Sequence, residues 1–495
     1  MKRKVSNLKV MILTLGIILM SFTSVASTIH VPGDYATIQE ALNAANTGDE
    51  VVVAAGTYYE NIIWPSTDGI TLSGSGEETC FIDGSETASV IRFEFDNNPM
   101  ITNATLIQGF TIQNGYAQGT GQDEDEGGGI FLIDSSPSFE NLIIKNNLAY
   151  YGGGVNMHSW TPHYFTPSFN NVKIIGNESE SYGGGVRISR CDPTIENCII
   201  SDNLSHSSGG GIQAWISSDI TLIDVTISNN SAIVEGYSAG HGGGIDCFPG
   251  AKLFMTNVVV TNNFATWYGG GLYYSHNASE STFTNVTISN NTSAFGGGVF
   301  LIEVTSGLTL TNCIIWDNIP NEVEFDDVNY PSILTVSYSD IKDGQAGIQT
   351  NGNGTVTWGT GNINKDPFFC DPTNFVYTLA EDSPCVGTGQ NGANMGALEV
   401  ACGPVGINEG LITNNYTPQI KIYPNPANDH IVINCVEQNV DIQSVVITDI
   451  SGSIAVSEEK QNNQEKVDIS ALKSGVYFVI VSTEKGIFNE KLIVY

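Results

Sequence analysis

Basic residues are scarce in this sequence. Its 495 residues include 18 Lys and Arg against 52 Asp and Glu, which gives a formal net charge of -34 at pH 7. A chain this acidic repels the phosphate backbone, so nucleic acid is excluded as a natural partner. An acidic surface instead attracts divalent cations.

Long apolar runs are absent apart from one at the amino terminus. Residues 10–20 form an apolar run that follows four basic residues and precedes Ser24-x-Ala26, a small-residue cleavage pattern. The pattern predicts a secretory signal peptide over residues 1–26. A retained anchor is the alternative, but the run is short for a bilayer, so no stable transmembrane segment is predicted. Removal of the peptide leaves 14 basic and 52 acidic residues.

Zinc-ligand spacing is also absent from the nine cysteines. Three of them, Cys370, Cys385 and Cys402, lie close together in the sequence. In an exported chain this grouping predicts one disulfide, and the sequence leaves the pairing open.

Glycine triplets are abundant and define an internal period. Successive triplets start 25, 31, 26, 33, 27 and 27 residues apart. The triplets begin at Gly127, Gly152, Gly183, Gly209, Gly242, Gly269 and Gly296. Such self-similarity is typical of repeat architectures.

Two columns of asparagine accompany the triplets at a constant spacing of six residues. The first column comprises Asn141, Asn171, Asn197, Asp224, Asn257, Asn285 and Asn312. The second comprises Asn147, Asn177, Asn203, Asn230, Asn263, Asn291 and Asn318. Because only the distance from the second column to the glycines varies, insertions lie in one turn and the strand between the columns has a fixed length.

Apolar residues alternate within each repeat. Pairs such as Leu142/Ile144 and Val172/Ile174 lie between the Asn columns, and further pairs such as Val155/Met157 follow each triplet. This period of two predicts short strands with one buried face. Stacked strands bury a continuous core that none could bury alone, so the sequence predicts an all-β parallel β-helix. Asn and Gly tolerate the left-handed backbone of tight corners, and stacked amides can form a ladder.

The repeats resemble those of right-handed parallel β-helix proteins of the pectate-lyase-like superfamily and of polymorphic outer-membrane proteins. Residues 34–62, DYATIQEALNAANTGDEVVVAAGTYYENI, are similar to the N-terminal cap of pectin-lyase-like proteins. A helical stripe of Ile38, Ala41, Leu42 and Ala45 agrees with a cap helix at about 34–47. The β-helix is predicted over residues 27–405, and the resemblance is specific for fold rather than for chemistry.

Residues 360–405 resemble the closing segment of many secreted bacterial β-helix proteins. This segment is predicted to cap the last coil. Two other cysteines, Cys198 and Cys313, occupy apolar ladder positions and are predicted to be buried small hydrophobic residues.

The glycine period stops near residue 407. Alternating strands predict a small C-terminal β-sandwich over residues 419–495, behind a linker at 406–418. The motif Tyr423-Pro424-Asn425-Pro426 and the closing Lys491-Leu492-Ile493-Val494 resemble the type A sorting domain of the type IX secretion system. That resemblance implies export to the surface of a bacterium of the Bacteroidota, and the secretion machinery as a partner. An ordinary C-terminal sandwich is the alternative.

The strand after each triplet carries the most informative side chains. Its outward positions combine aromatic rings with hydrogen-bonding groups, an arrangement that suits an extended sugar polymer. The predicted carbohydrate-binding residues are Asn156, His158, Arg187, Gln213, Trp215, Asp246, Phe248 and Tyr273. The alternative is that the inserts at 160–167 and 231–240 cover these aromatics.

The sequence gives weaker evidence for catalysis than for carbohydrate binding. Lyases of the resembled superfamily use Lys or Arg, commonly with calcium, and hydrolases use paired carboxylates. Only Arg187 among the basic residues of the repeats falls on this strand, and the GHG at 241–243 lacks the accompanying motifs of polygalacturonases. If an active site exists, the residues favoured are His241, Asp246 and Arg187.

Two acidic runs are candidates for binding calcium. They contain Asp123 and Asp125, and Asp326 and Asp327, but neither has a recognised ligand spacing, so a solvated loop is the favoured interpretation. We expect no other cofactor. The predicted function is binding of an extended polysaccharide or cell-surface glycan, or adhesion, by a secreted protein. The alternative is a polysaccharide lyase or glycoside hydrolase.

Overall fold

The structure is a computed structural model. It describes residues 26–94, 100–119, 124–162, 164–234, 240–275, 280–327, 331–405, 420–435, 442–449, 454–462, 464–483 and 486–494. Residues 1–25 of the predicted signal peptide and the whole of the predicted linker lie outside the described residues. The chain divides into two compact units, Met1–Gly406 and Ile407–Tyr495. No helix among the described residues has the length and apolar character needed to cross a membrane.

The first unit is a right-handed parallel β-helix, as predicted. Its largest sheet has 21 strands, and the strands pair in parallel from coil to coil. They are Thr28–Val31, Glu50–Val53, Gly56–Tyr59, Thr71–Gly74, Cys80–Asp83, Leu106–Gln113, Ser138–Lys145, Ser168–Ile175, Thr194–Glu196, Ile199–Ser201, Asp219–Ile223, Thr226–Ser228, Lys252–Thr256, Val259–Thr261, Ser281–Thr284, Thr287–Ser289, Leu308–Thr311, Ile314–Trp316, Ser332–Ser337, Asp340–Ile341 and Gly354–Trp358.

Two smaller parallel sheets complete the coils. The sheet that follows the glycine triplets has 11 strands: Ile62–Ile63, Ile91–Phe93, Ile130–Ile133, Val155–His158, Val186–Ser189, Ile212–Trp215, Ile245–Cys247, Leu272–Ser275, Val299–Ile302, Val323–Phe325 and Ile348–Gln349. We call this the glycine-edge sheet. The sheet that precedes the triplets has six strands: Tyr116–Ala117, Leu148–Tyr151, Glu178–Tyr182, Leu204–Ser205, Ser231–Ala232 and Phe264–Ala265.

The inward side chains form one continuous core. The predicted pairs are buried, for example Leu142 and Ile144 at 1% and 0% exposure. Aromatic rungs stack as well, with the ring centroids of Phe139 and Phe169 4.7 Å apart. Cys198 is buried in the same core, as the sequence predicted.

The two asparagine columns have different roles. The first column bends the large sheet: Asn141 and Asn171 have φ of 53° and 54°, in the left-handed region that Asn tolerates. The second column is buried and forms a ladder of amides. Asn177, for example, accepts from Asn147 Nδ2 at 3.0 Å and donates its own Nδ2 to Asn203 Oδ1 at 3.0 Å. The ladder fixes the height of each coil over the next.

The glycine triplets line up along one edge of the coils. Gly152, Gly153 and Gly154 donate their N–H groups to the carbonyls of Tyr182, Gly183 and Gly184 in the next coil. A Cβ on Gly154 would lie 2.6 Å from the carbonyl oxygen of Gly185. Glycine is therefore needed because neighbouring backbones approach too closely for a side chain.

The cap helix spans Ile38–Ala44 and buries Ile38, Ala41 and Leu42. It is shorter than the predicted 34–47. Thr37 caps its start by accepting from the Glu40 N–H, and Ala45 has already returned to extended backbone.

The closing segment packs along the flank of the β-helix. It contains the 3-10 turns Pro372–Asn374 and Gln390–Gly392 and the strands Phe369–Asp371, Val376–Ala380 and Val400–Cys402, while another 3-10 turn, Gly344–Gly347, precedes it. Its Phe369, Tyr377 and Met395 bury the outward residues Val259 and Ile314. The segment thus covers several coils laterally, whereas the sequence predicted a cap on the last coil. The predicted disulfide joins Cys370 to Cys402, and Cys385 is a buried free thiol.

The second unit consists of two antiparallel sheets around one apolar core, as predicted for a β-sandwich. One sheet contains Ile420–Tyr423, His430–Cys435 and Gln464–Asp468. The other contains Ile442–Asp449, Ile454–Asn462, Gly475–Thr483 and Gly486–Val494.

Candidate functional site

The glycine turn sets the geometry of the candidate site. Gly152 has φ of 65°, and a Cβ there would lie 2.7 Å from the Cβ of Asn156. The same holds for Gly183, where a Cβ would lie 2.8 Å from that of Arg187. The absent side chains leave room for the outward residue of each following strand.

A row of six aromatic rings runs along the coils, with one ring from each of six successive coils. We call Tyr151, Tyr182, Trp215, Phe248, Tyr273 and Phe300 the aromatic row. Successive ring centroids in the row lie 5.9, 6.2, 4.9, 6.3 and 5.9 Å apart. The first four rings are half-buried, whereas Tyr273 and Phe300 are buried.

A second layer of rings covers the last two members of the row. The His241 ring stacks on Tyr273 with centroids 4.5 Å apart, and Tyr268 lies 4.5 Å from Phe300. Phe295 extends this layer and is 40% exposed. The rings therefore present a continuous apolar surface along the coils.

Polar side chains occupy one column of the sheet. Asn156, Arg187, Gln213 and Asp246 are consecutive partners in parallel register. Asn156, Gln213 and Asp246 are 0%, 0% and 1% exposed. These groups point away from the core, yet they are buried.

Arg187 is held by three neighbours. Its Nη1 donates to Asn156 Oδ1 at 3.2 Å and lies 3.7 Å from Glu126 Oε1. Its guanidinium carbon also lies 4.6 Å from the centre of the Tyr151 ring, a cation–π arrangement. Burial lowers the pKa of Arg187, and the Glu126 carboxylate opposes that shift.

Asp246 lies in an unusual environment at the centre of the column. The Gln213 amide faces it from the adjacent strand, but neither carboxylate oxygen of Asp246 and neither polar side-chain atom of Gln213 has a hydrogen-bond partner among the described residues. Burial raises the pKa of Asp246 well above its ordinary value. Burial also lowers the pKa of His241 to about 4. His241 is therefore uncharged near neutral pH, and burial favours the protonated form of Asp246.

The three residues favoured for catalysis are only partly brought together. His241 and Asp246 belong to the same coil, whereas Arg187 is separated from Asp246 by the strand of Gln213. Arg187 and Asp246 thus share a column without being neighbours. Of the other predicted binding residues, His158, Trp215 and Phe248 are half-buried.

Sequence reasoning missed the role of Glu126 at this site. Its carboxylate accepts from Asn156 Nδ2 at 2.6 Å and pairs with Arg187. The available signal was its position directly before the first triplet, which is the position that Tyr151 and Tyr182 hold in the next two coils.

The acidic runs do not assemble a metal site among the described residues, where no three His, Cys, Asp or Glu side chains gather. Asp123 lies outside the described residues. The backbone carbonyl of Asp125 accepts from the N–H groups of Tyr150 and Tyr151, and Asp326 follows the strand Val323–Phe325. Calcium binding stays a prediction.

The sorting motif joins the first and last strands of its domain. Asn425 Nδ2 donates to the Lys491 carbonyl at 2.6 Å, and the Ile493 N–H donates to Asn425 Oδ1 at 2.9 Å. The two stretches that carry the resemblance to sorting domains are therefore in direct contact.

Family models match two parts of the chain. Residues 210–368 match the right handed beta helix region, and residues 421–495 match the secretion system C-terminal sorting domain. No curated protein matches the sequence.

Several solved structures are similar to the chain at low identity. A pectate lyase is 13% identical, covers 76% of this chain and 97% of its own, and has a TM-score of 0.38. A pectin methylesterase from carrot is 13% identical and has a TM-score of 0.28. The match covers 70% of this chain and 92% of the methylesterase. A PL6 family alginate lyase is 12% identical and has a TM-score of 0.34. The match covers 69% of this chain and 54% of the alginate lyase. At this level the likeness carries no statement about activity.

Proposed function

We propose that this chain, a secreted right-handed β-helix protein with a type IX sorting domain, binds an extended polysaccharide at the cell surface without cleaving it. The observation that carries the proposal is the aromatic row. Sugar rings have apolar faces that stack on aromatic side chains, and a row with one ring per coil offers a linear series of such platforms.

The exposed part of the row favours contact with a polymer over a small ligand. Tyr151, Tyr182, Trp215 and Phe248 are all half-buried, so each ring keeps a solvent-accessible portion while its body is fixed by packing. Fixed rings lose little side-chain entropy when a ligand binds. Four such rings in consecutive coils extend along the helix axis and match an elongated ligand.

Catalysis is the second candidate, as a lyase or a glycoside hydrolase. It is favoured by His241 and Asp246, whose pKa values are shifted by burial, because perturbed pKa values cluster at active sites. Against it, Asp246 is 1% exposed and Arg187 is already engaged by Glu126. We therefore place binding ahead of catalysis.

Affinity electrophoresis of the secreted protein in gels containing polysaccharides tests the proposal. We expect retardation by at least one polymer, and about tenfold weaker binding for Tyr182→Ala or Trp215→Ala, since losing a stacking contact costs about 1 kcal/mol or more. Tyr59→Ala is the matched control, because Tyr59 is 73% exposed on a different sheet. Equal binding by Tyr182→Ala, Trp215→Ala and the parent protein contradicts the proposal.

An activity assay separates the second candidate. The same polymers are incubated with the protein and assayed for new reducing ends and for unsaturated products. Release of either product that is lost in Asp246→Asn supports catalysis. Binding without release supports the proposal.

A further inference from the structure

The cations of the glycine-edge sheet are all neutralised within the protein. Its 11 strands contain two residues of the Lys and Arg type, Arg92 and Arg187. Arg92 pairs with Glu94 at 3.0 Å and lies 4.4 Å from the centre of the Phe131 ring. Arg187 pairs with Glu126 and lies over Tyr151. Each guanidinium thus has both a carboxylate and an aromatic ring as partners.

Carboxyl groups also lie along this sheet. The column that contains Arg187 and Asp246 continues through Tyr273 and Phe300 to Glu324. Glu324 is held in place because its Oε2 accepts from the Gly296 N–H at 2.7 Å and from Asn321 Nδ2 at 2.9 Å. Asp326 and Asp327 follow directly in the chain.

The electrostatic effect of these acids reaches the aromatic rings. The pKa of Tyr268 is raised first by burial and then by the charges of Asp326, Asp327 and Glu324. The same charges act on an anion that lies at the Phe300 end of the row. These acids are part of the formal net charge of -34 of the whole chain.

We propose that the polysaccharide bound along the aromatic row is uncharged, and that the site excludes polyuronates. This inference rests on the proposed function and specifies its ligand. A uronate needs a cation that is free to pair with it, and both guanidiniums of the sheet are already compensated. A neutral sugar chain needs ring faces and hydroxyl partners, and the row supplies the ring faces without an electrostatic cost.

Polymers with the same backbone and different charge test this inference. The intact protein is run in gels containing hydroxyethylcellulose or carboxymethylcellulose, and highly methyl-esterified pectin or polygalacturonate. A panel of uncharged glucans, mannan and xylan is run beside them. Each gel is repeated with calcium chloride and with chelator, because calcium can bridge two sets of carboxylates. A salt series adds a second readout, because screening weakens charge-dependent contacts at exposed sites.

We expect an uncharged polymer to bind at least about tenfold more tightly than any anionic one, with binding that does not weaken as salt increases. Tyr182→Ala should weaken this binding about tenfold, and Tyr59→Ala should leave it unchanged. Binding of polygalacturonate or carboxymethylcellulose as tight as that of the uncharged partner, with or without calcium, overturns the inference but leaves the proposed function standing. Absence of binding to every polymer overturns both.

Discussion

Asn318 Nδ2 donates to Glu322 Oε2 across 2.6 Å. This contact ends the buried amide ladder. Each Asn of the ladder donates to the carbonyl oxygen of the Asn in the next coil, so the last one has donors left over. A carboxyl group supplies the missing acceptor, and burial raises the pKa of Glu322 to about 7.

Glu322→Gln should therefore flatten part of the pH dependence of stability. The ordinary pKa is 4.5 and the folded value about 7, so the folded protein binds more protons between them and stability falls as pH rises through that window. The loss is up to about 3 kcal/mol at about 1.4 kcal/mol per pH unit. Urea midpoints measured from pH 4 to pH 8 check this.

Two controls accompany this variant. Burial also raises the pKa of Asp340 to about 6, so part of the slope should remain in Glu322→Gln. Glu180→Gln replaces an exposed glutamate and should reproduce the parent profile. An unchanged slope in Glu322→Gln would show that Glu322 does not titrate in this window.

Asn177→Ala should destabilise the β-helix by about 3–5 kcal/mol, because each buried group left without a partner costs about 1–3 kcal/mol. The orphaned groups are the backbone N–H and Nδ2 of Asn147 and the carbonyl of Ile144. Asn171→Gly is the matched control in the same coil. Asn171 is exposed with φ of 54°, and glycine accepts that conformation at little cost. Equal urea midpoints for the two variants would contradict the different roles of the two asparagine columns.

Gly154→Ala should be strongly destabilising because its Cβ would lie 2.6 Å from the Gly185 carbonyl and 2.9 Å from Ile174 Cγ2. Overpacking of this kind costs about 1–3 kcal/mol, and backbone that cannot move places it at the upper end. Gly403→Ala is the control, since its Cβ would meet no atom within 4 Å. Thermal midpoints of both variants, measured by circular dichroism, give the comparison.

Asn425→Ala should destabilise the sorting domain by about 1–3 kcal/mol, because it removes the two hydrogen bonds to the last strand. The expected consequence is less protein at the cell surface and more retained inside the outer membrane. Immunoblots of cell fractions measure this. Glu490 precedes the contacted segment, and Glu490→Gln is the control that should export normally. Normal export of Asn425→Ala would show that export does not depend on this contact.

Much of the fold could be predicted because it depends on periodicity. The six-residue offset between the Asn columns predicted both the strand length and the stacking of like over like. It did not reveal that Asn171 bends the sheet while Asn177 hydrogen-bonds along it, because both are the same residue type at the two ends of one strand. Backbone conformation makes that distinction.

The candidate site was harder to predict. Alternation correctly placed Gln213 and Asp246 outside the core, but it could not show that they would be buried there. His241, five residues before Asp246, stacks on Tyr273, which is the partner of Asp246 in the next strand. The lateral packing of the closing segment was missed for a similar reason, although Val259 and Ile314 are apolar at outward positions.

The aromatic row also acts as a fixed ruler. Its rings come from successive coils, so their interval along the axis follows from the coil spacing of about 4.8 Å. A substitution can remove a ring from the row, but it cannot shift a ring along the axis. A ligand whose repeat length differs from the spacing of the rings would be mismatched by a larger distance at each further coil. Selectivity between two repeat lengths would therefore increase with the number of coils that the ligand contacts.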